Sequence, residues 1–188
     1  MAQNDSTAVT TKVITGLVRF SYAQVFHPKA VNEGDEPKYS ISILIPKTDT
    51  VTLEKINKAI EAAKAQGVSK IGKNGKIPTN IKLPLRDGDT EREDDENYAG
   101  CFFLNASSFR QPGIIDKDRQ AILDEDGFYS GCYGRASINF YAFNSNGNKG
   151  IAVGLNNLQK LKDGERLAGG ASAEEDFADD FDNNGLLD

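Results

Sequence analysis

The segment from Gly131 to Asn144 reads GCYGRASINFYAFN and carries its chemistry on one face. At the two-residue period of a β-strand, the other face is small and apolar, as a core requires, with Ala136, Ile138, Phe140 and Ala142. The first face combines rings, amides and a base, namely Tyr133, Arg135, Ser137, Asn139, Tyr141 and Phe143. Unpaired bases stack on aromatic rings for about 1–3 kcal/mol each while cations follow the phosphates, so this face predicts a surface for single-stranded nucleic acid. Burial of the rings in a two-sided sheet is the alternative.

Further candidate contacts lie outside this strand. Phe109 and Arg110 form an aromatic–cation pair after Ser107-Ser108, where a loop is expected to leave a strand. Positively charged residues extend a possible track for phosphates, namely Arg19, Lys38, Lys70, Lys73, Lys76, Lys82, Arg86 and Lys149. The alternatives are a loop anchored by a buried Phe109, and lysines that serve only as solvated surface charge.

Residue types for catalysis or metal binding are few. The single histidine, His27, is followed by proline and reads as a turn residue, with no nucleophile motif around it. Cys101 and Cys132 stand alone without a Cys-x-x-Cys pair, so we expect reduced, packed thiols. The acidic runs at 94–96 and 124–126 lack the spacing of a calcium loop, and no phosphate-binding loop occurs. The sequence predicts no catalytic residue, no metal and no cofactor.

Charge is distributed unevenly along the chain, which has 22 lysines and arginines against 28 aspartates and glutamates, a net −6. Residues Glu174–Asp188 hold seven acids and no base, and Asp87–Asn97 hold seven acids and one base. Outside these two blocks, 21 bases exceed 14 acids. Because an electric field is set by local charge, the acidic total is compatible with a polyanionic partner.

The length of 188 residues fits one domain with a core, and two independent domains would be cramped. Residues 1–11 are polar and lack the basic and apolar regions of a secretory signal, so we expect a flexible lead-in and a cytoplasmic protein. The apolar runs are far shorter than the roughly 20 residues that span a bilayer, and we expect no membrane segment.

The first half predicts strands on either side of a loop, followed by a helix. Lys12–Phe26 and Lys38–Ile45 have strand character, with Gly16 as a possible bulge in the first run. That run is expected to place three residues on one face, namely Val18, Phe20 and Tyr22. Apolar residues then recur at helical spacing and predict one amphipathic helix over Thr50–Gln66, ended by Gly67.

The second half is again strand-like. Asn74-Gly75 is typical of a tight turn within the basic segment 70–86, which we expect to be extended or a hairpin. Four further strands are predicted, at Tyr98–Ala106, around Gln120–Tyr129, at Tyr133–Asn144 and at Gly150–Leu155. Asn146-Gly147 predicts a hairpin between the last two, and the leucines at 155, 158 and 161 allow a short helical turn. These patterns favour a mainly β fold, either a small barrel or a sandwich.

The chain changes character beyond Gly169-Gly170. Residues 169–188 are rich in Ala, Ser, Asp, Glu and Asn, a composition that cannot bury enough apolar surface to fold, and they predict a disordered acidic tail. Its acids can compete with phosphates while its apolar side chains anchor in a partner. The candidate partner-binding residues are Asp176, Phe177, Asp179, Asp180, Phe181 and Asp182. A tail that only confers solubility is the alternative.

Four motifs in the second half resemble a known family. They are YSGCYGR (Tyr129–Arg135), INFYA (Ile138–Ala142), GNKGI (Gly147–Ile151) and GLNNLQK (Gly154–Lys160). With them the chain resembles a phage family of OB-fold single-stranded-DNA-binding proteins, from about Val13 to Gly164. The resemblance implies an OB-like antiparallel barrel of five strands, or slightly more, over residues 12–168, with one inserted helix.

The resemblance also implies a non-enzymatic protein that binds single-stranded DNA without sequence preference, in the host cytoplasm, during phage DNA replication, recombination or repair. The acidic tail is similar in kind to those of bacterial single-strand binders and of the T7-type phage protein, which recruit replication partners. This tail departs by ending Leu186-Leu187-Asp188, where those tails end in phenylalanine. A single-strand annealing protein, a virion structural or scaffold protein, and a metal-dependent nuclease are the alternatives.

Overall fold

A computed structural model of the chain describes residues 10–167. The strands are β1 (Lys12–Ile14), β2 (Val18–Lys29), β3 (Lys38–Pro46), β4 (Arg86–Asp87), β5 (Cys101–Ser108), β6 (Gly113–Ile115), β7 (Tyr133–Ser145) and β8 (Asn148–Lys162). The helices are α1 (Thr50–Gln66), α2 (Val68–Ile71) and α3 (Gly88–Glu91), with a 3-10 turn at Glu96–Tyr98. The predicted acidic tail, with all six of its candidate partner-binding residues, lies outside the described residues.

Five of the strands close into a barrel. Antiparallel ladders join β2 to β3, β3 to β5, β8 to β7 and β7 to β2. The ring is completed where Ser107 of β5 pairs with Gly154 of β8, and this contact is parallel. A five-stranded barrel of this kind is the OB fold, so the mainly β, OB-like prediction is confirmed. The expectation of a wholly antiparallel barrel was wrong at this one seam.

The segment 80–87 fills the gap where β5 and β8 diverge. β4 pairs with Phe102 and Phe103 of β5, while Lys82 bridges to Gly150 of β8. The preceding residues contain α2 and two turns, and Asn74 and Gly75 form the predicted one with φ angles of 55° and 75°. Lys82 and Arg86 of the basic segment therefore lie in the barrel wall.

The barrel interior is filled by alternate side chains of the strands. On β3, Ile41, Ile43 and Ile45 are buried, and they face the interior together with four residues of β7. Those four are the residues predicted from the two-residue period, with exposed fractions of 1%, 0%, 1% and 7%, namely Ala136, Ile138, Phe140 and Ala142. The predicted inner face of this strand is confirmed.

Helix α1 has the predicted bounds. The carboxylate of Asp49 accepts a hydrogen bond from the backbone N–H of Thr52 (3.1 Å), which satisfies a free donor of the first turn. At the other end Gly67 lies so close to Ala142 of β7 that a side chain there would collide with it. The expectation of a single helix was incomplete, because the short helices α2 and α3 also form.

Three local predictions were wrong, each for an identifiable reason. The run Lys12–Phe26 divides into β1 and β2, because Gly16 turns aside and its N–H donates to the Thr52 hydroxyl (2.9 Å). No strand forms around Gln120–Tyr129, where the carboxylates of Asp116 and Asp124 accept backbone N–H groups and hold turns instead.

The third error concerns the end of β8. This strand continues to Lys162, although the leucine spacing allowed a short helical turn there. A register shift between β7 and β8 lets Leu155 and Leu158 both point inward, with exposed fractions of 3% and 1%. The β-bulge therefore separates two inward-facing leucines by three residues, which is also the spacing of one helical turn.

Two general findings bear on the functional classes. No helix among residues 10–167 is long and apolar enough to cross a membrane. Cys101 and Cys132 are both free thiols, and burial raises the pKa of each above its ordinary value. Neutral thiols in such surroundings behave as small apolar groups.

Candidate nucleic-acid interface

The outward face of β7 carries the predicted rings. Tyr141 is 42% exposed, and Tyr133 and Phe143 are half-buried. Arg135 is exposed, and its Nε donates to the carbonyl of Thr15 (3.0 Å), which leaves the end of the guanidinium available. The rings are therefore on the barrel surface and not in its interior.

Small residues of β8 lie directly opposite this face. Phe143 pairs with Gly150, Tyr141 with Ala152, and Asn139 with Gly154. The amide of Asn139 covers Gly154, where a Cβ would stand 2.6 Å from its Oδ1. Because the paired residues on β8 are small, the rings border a shallow surface on that side that a planar base can approach.

The first group of predicted residues gathers at the β7–β8 hairpin. We call Lys70, Lys82, Tyr141, Phe143 and Lys149 the hairpin cluster. Asn144 Nδ2 donates to the carbonyl of Lys70 (3.2 Å), and the N–H of Lys82 donates to the carbonyl of Lys149 (3.0 Å). These backbone contacts bring three lysines to the end of β7 that carries both rings. Lys73 and Lys76 are exposed on the turn that follows α2.

The second group lies where the chain bends between β5 and β6. We call Lys38, Phe109 and Arg110 the bend cluster. The Lys38 ammonium lies 4.7 Å from the centre of the Phe109 ring, and this ring is 56% exposed. The alternative of a loop anchored by Phe109 is excluded by this exposure, because the anchors are the buried Pro112 and the hydrogen bond from Gln111 Nε2 to the carbonyl of Val25 (3.2 Å).

A band of small polar residues connects the two clusters across the sheet. From β7 to β3 the paired positions are Asn139, Gly154, Ser107 and Ser40. At about 4.8 Å between neighbouring strands, the band is about 14 Å wide. We call it the polar band, and it gives a continuous surface from Tyr141 to Phe109.

The barrel strands carry positive charge and no negative charge. Strands β2, β3, β5, β7 and β8, all within the described part of the chain, contain no aspartate or glutamate. Their seven bases are Arg19, Lys29, Lys38, Arg135, Lys149, Lys160 and Lys162. A polyanion lying on these strands therefore meets no like charge from them.

The cations of the two clusters also differ from others in their pairing. Lys47 lies 2.8 Å from Asp87 and 2.7 Å from Asp89, and the hydrogen bond to Asp87 is the main cause that raises its pKa. By contrast, eight of the predicted cations form no ion pair with any carboxylate between residues 10 and 167, namely Lys38, Lys70, Lys73, Lys76, Lys82, Arg110, Arg135 and Lys149. These charges are available to phosphates.

Arg19 has a structural task in the protein. Its Nε donates to the carbonyl of Gly131 (3.1 Å), and its two terminal nitrogens donate to Asn97 Oδ1 (3.3 Å) and the carbonyl of Glu165 (2.9 Å). Tyr133 lies between Arg19 and Lys162, 5.3 Å and 4.7 Å from the two cations. Both predicted residues therefore belong to the junction that holds the end of β8, away from the two clusters.

The sequence did not predict the surface positions of Tyr22 and Arg92. Tyr22 was expected on the same face as Val18 and Phe20, yet it is 58% exposed because β2 is irregular after Ser21. Arg92, the only base of the acidic block Asp87–Asn97, donates to its hydroxyl (2.8 Å). No periodic pattern in the sequence marks such an irregularity.

The five ring strands of this OB barrel lack acids, and among residues 10–167 its surface sets exposed rings beside cations that have no ion-pair partner. These features define a nucleic-acid-binding protein of the kind that holds single strands. The chain belongs to the family of the ssDNA-binding protein of Enterobacter phage Enc34, whose model matches residues 11–187. This membership confirms the resemblance seen in the sequence and places the chain in a non-enzymatic class.

A curated relative and two solved structures are similar to this chain over most of its length. Protein p50 of Acyrthosiphon pisum secondary endosymbiont phage 1 is 33% identical over 175 residues, which are 90% of this chain and 94% of p50. The single-stranded DNA-binding protein of bacteriophage Enc34, solved in complex with ssDNA, superposes with a TM-score of 0.75 at 24% identity, over 84% of this chain and 90% of that one. The single-stranded DNA-binding protein of bacteriophage T7 shares the fold, with a TM-score of 0.59 at 16% identity over 95% and 99% of the two chains.

Proposed function

We propose that this protein binds single-stranded DNA without sequence preference, through the hairpin cluster, the polar band and the bend cluster. The observation that carries this proposal is the acid-free set of barrel strands beside rings and unpaired cations. The complex of the Enc34 protein with ssDNA supports it. OB folds cover about 4–16 nucleotides, a length that suits a path across the polar band.

In this mechanism the rings contact the bases and the cations contact the phosphates. Bases stack on Tyr141, Phe143 and Phe109, and every base offers a π-face, so stacking tolerates any sequence. Phosphates lie against the lysines of both clusters and Arg110, with Lys73, Lys76 and Arg135 at the margins. Asn139 in the polar band offers an amide to base edges or sugars. Duplex DNA hides its base faces, so it gains only the phosphate contacts.

Fluorescence anisotropy with labelled single-stranded and duplex oligonucleotides tests this proposal. We expect tighter binding to the single strand, and an affinity that falls with salt by a slope of about −0.7 for each phosphate neutralised. Equal affinity for duplex, or a signal that does not change with salt, would contradict the proposal.

The same samples separate the alternative functions. Degradation of the oligonucleotide on adding magnesium indicates a nuclease, and faster pairing of complementary strands indicates an annealing protein. A protein with no affinity for either oligonucleotide fits a virion scaffold. The outcome that we expect is binding without degradation and without accelerated pairing.

We also propose that the acidic tail competes with DNA for the basic surface and docks replication or recombination proteins in the cytoplasm of the host. Its seven acids can occupy the unpaired lysines. The residues proposed to contact partners are Asp176, Phe177, Asp179, Asp180, Phe181 and Asp182. Deleting Glu174–Asp188 should tighten binding to single strands, most strongly at low salt, and an unchanged dissociation constant would argue against competition.

A further inference from the structure

Strand β2 holds an exposed aromatic residue in an unfavourable backbone conformation. Tyr22 has a φ angle of 46°, in the left-handed region, where the pairing of β2 with β3 shifts after Ser21. Its side chain is 58% exposed, although Phe20 is fully buried. Asn74, Arg119 and Asn146 also have positive φ angles, but all three lie in turns, whereas Tyr22 is a bulky aromatic residue within a strand. Backbone strain of this kind is concentrated at functional sites.

Arg92 fixes the position of this ring. Its terminal nitrogen donates to the Tyr22 hydroxyl (2.8 Å), and its guanidinium carbon lies 5.4 Å from the centre of the ring. The same guanidinium lies 4.6 Å from the ring of Tyr98, which is buried and donates to the hydroxyl of Ser42 (3.1 Å). The ring of Tyr22 is thus connected, through Arg92, to a rigid part of the barrel.

The ring also lines a groove that no residue of the two clusters lines. This groove has a volume of about 730 Å³ and runs between β2, the residues 95–97 and the residues 165–167. Its wall is mostly polar, with Gln24, Asn97 and Ser130, and it holds Lys29 and Arg166. Three acids also line the groove, namely Asp95, Glu96 and Glu165, so a phosphate is favoured beside Lys29 and not beside them.

We propose that Tyr22 is a further stacking platform, on which one unpaired base of single-stranded DNA lies inside this groove, with Arg92 as the residue that positions the ring. The inference rests on the proposed binding of single strands and adds a contact on β2, separate from the hairpin and bend clusters. Lys29 contacts the adjoining phosphate. The strained conformation keeps the ring outward where regular pairing would turn it into the barrel.

Substitution of the ring separates this role from a structural one. Tyr22→Asn removes the ring and suits a left-handed backbone, so we expect the melting temperature to be unchanged or higher. The affinity for a dT oligonucleotide should fall by about 5- to 150-fold, as the loss of one stacked base predicts. Tyr22→Phe keeps the ring, and its affinity should be within about threefold of that of the wild type. Wild-type affinity in Tyr22→Asn would overturn the inference.

A fluorescent reporter tests the contact itself. The chain contains no tryptophan, so Tyr22→Trp introduces a single indole. We expect a dT oligonucleotide to quench this fluorescence, and to leave that of Val51→Trp unchanged, because residue 51 is exposed at the start of α1. Quenching by a peptide of the tail sequence but not by the oligonucleotide would show that the groove takes a protein segment, and would overturn the inference.

The outcomes for this inference and for the proposed function are distinguishable. If the wild-type protein binds no single-stranded DNA, the proposed function fails. If the wild-type protein binds and Tyr141→Ala weakens binding while Tyr22→Asn does not, only the platform on β2 is wrong.

Discussion

The ammonium group of Lys38 lies 4.7 Å above the ring of Phe109, at the point where β5 bends into β6. An exposed cation–π contact contributes only about 0.5–1 kcal/mol, which is too little to explain why the large Phe109 ring is 56% exposed. DNA binding explains this exposure better, because a base can stack on the ring while Lys38 contacts the adjoining phosphate.

Phe109→Ala should therefore lower the affinity for single-stranded DNA by about 5- to 150-fold, with little change in melting temperature. Lys38→Ala should lower it less. The loss in the double variant should be smaller than the product of the single losses, because the two residues act on the same nucleotide. Anisotropy titrations of the four proteins test this coupling. Independent losses would show that the contact has no part in binding.

Neighbouring residues on β7 should separate binding from stability. Tyr141 points outward and is 42% exposed, whereas Phe140 points inward and is 1% exposed. Tyr141→Ala should weaken DNA binding without changing thermal stability, because its ring packs little. Phe140→Ala should lower the free energy of unfolding by about 3–5 kcal/mol through loss of packing. Thermal melts and titrations on the same samples check both results, and a large loss of stability in Tyr141→Ala would mean that its ring serves the core.

The alternation on β7 could be predicted because a two-residue period leaves a direct record in the sequence. We could also predict the bounds of α1 and the turns at Asn74-Gly75 and Asn146-Gly147, because helix caps and positive φ angles require particular residue types. Such features depend only on residues that are consecutive in the sequence.

Features that depend on distant residues could not be predicted. Tyr22 turns outward because of irregular pairing with β3, and Leu158 turns inward because of a shift between β7 and β8. Arg19 appeared to be a surface cation, but its partners come from residues 97, 131 and 165, far away in sequence. Whether a cation is paired or available is decided by such contacts.

The lysines after α1 should determine part of the salt dependence. Lys70, Lys73 and Lys76 form no ion pair within the described part of the chain. Replacing all three with glutamine should make the slope of log affinity against log salt shallower by up to about 2, at about 0.7 for each phosphate contact. As a control, Lys58→Gln removes a lysine that pairs with Glu54 (2.9 Å) and should leave the slope unchanged. Equal slopes in the triple variant and the wild type would exclude these lysines as phosphate contacts.

The end of β8 should loosen at acidic pH. Asp163 accepts hydrogen bonds from Lys160 and Tyr129 (both 2.6 Å), and the bond from Lys160 is the larger cause that lowers its pKa. A carboxylate with a lowered pKa stabilises the fold above its ordinary pKa near 3.9, and this stabilisation is lost as pH falls through the lowered value. Asp163→Asn should therefore reduce the melting temperature at pH 7, and the difference from wild type should shrink below about pH 4. A difference that is constant with pH would contradict this assignment.

The double variant Tyr141→Ala with Phe109→Ala removes one ring on each side of the polar band, and it therefore tests whether both clusters bind the same single strand. The two positions belong to separate clusters on either side of the polar band and share no contact, so their losses in binding free energy should add. In anisotropy titrations with a dT oligonucleotide at fixed salt, we predict an affinity reduced by the product of the two single losses, at an unchanged melting temperature. Wild-type affinity in a folded double variant would contradict the account.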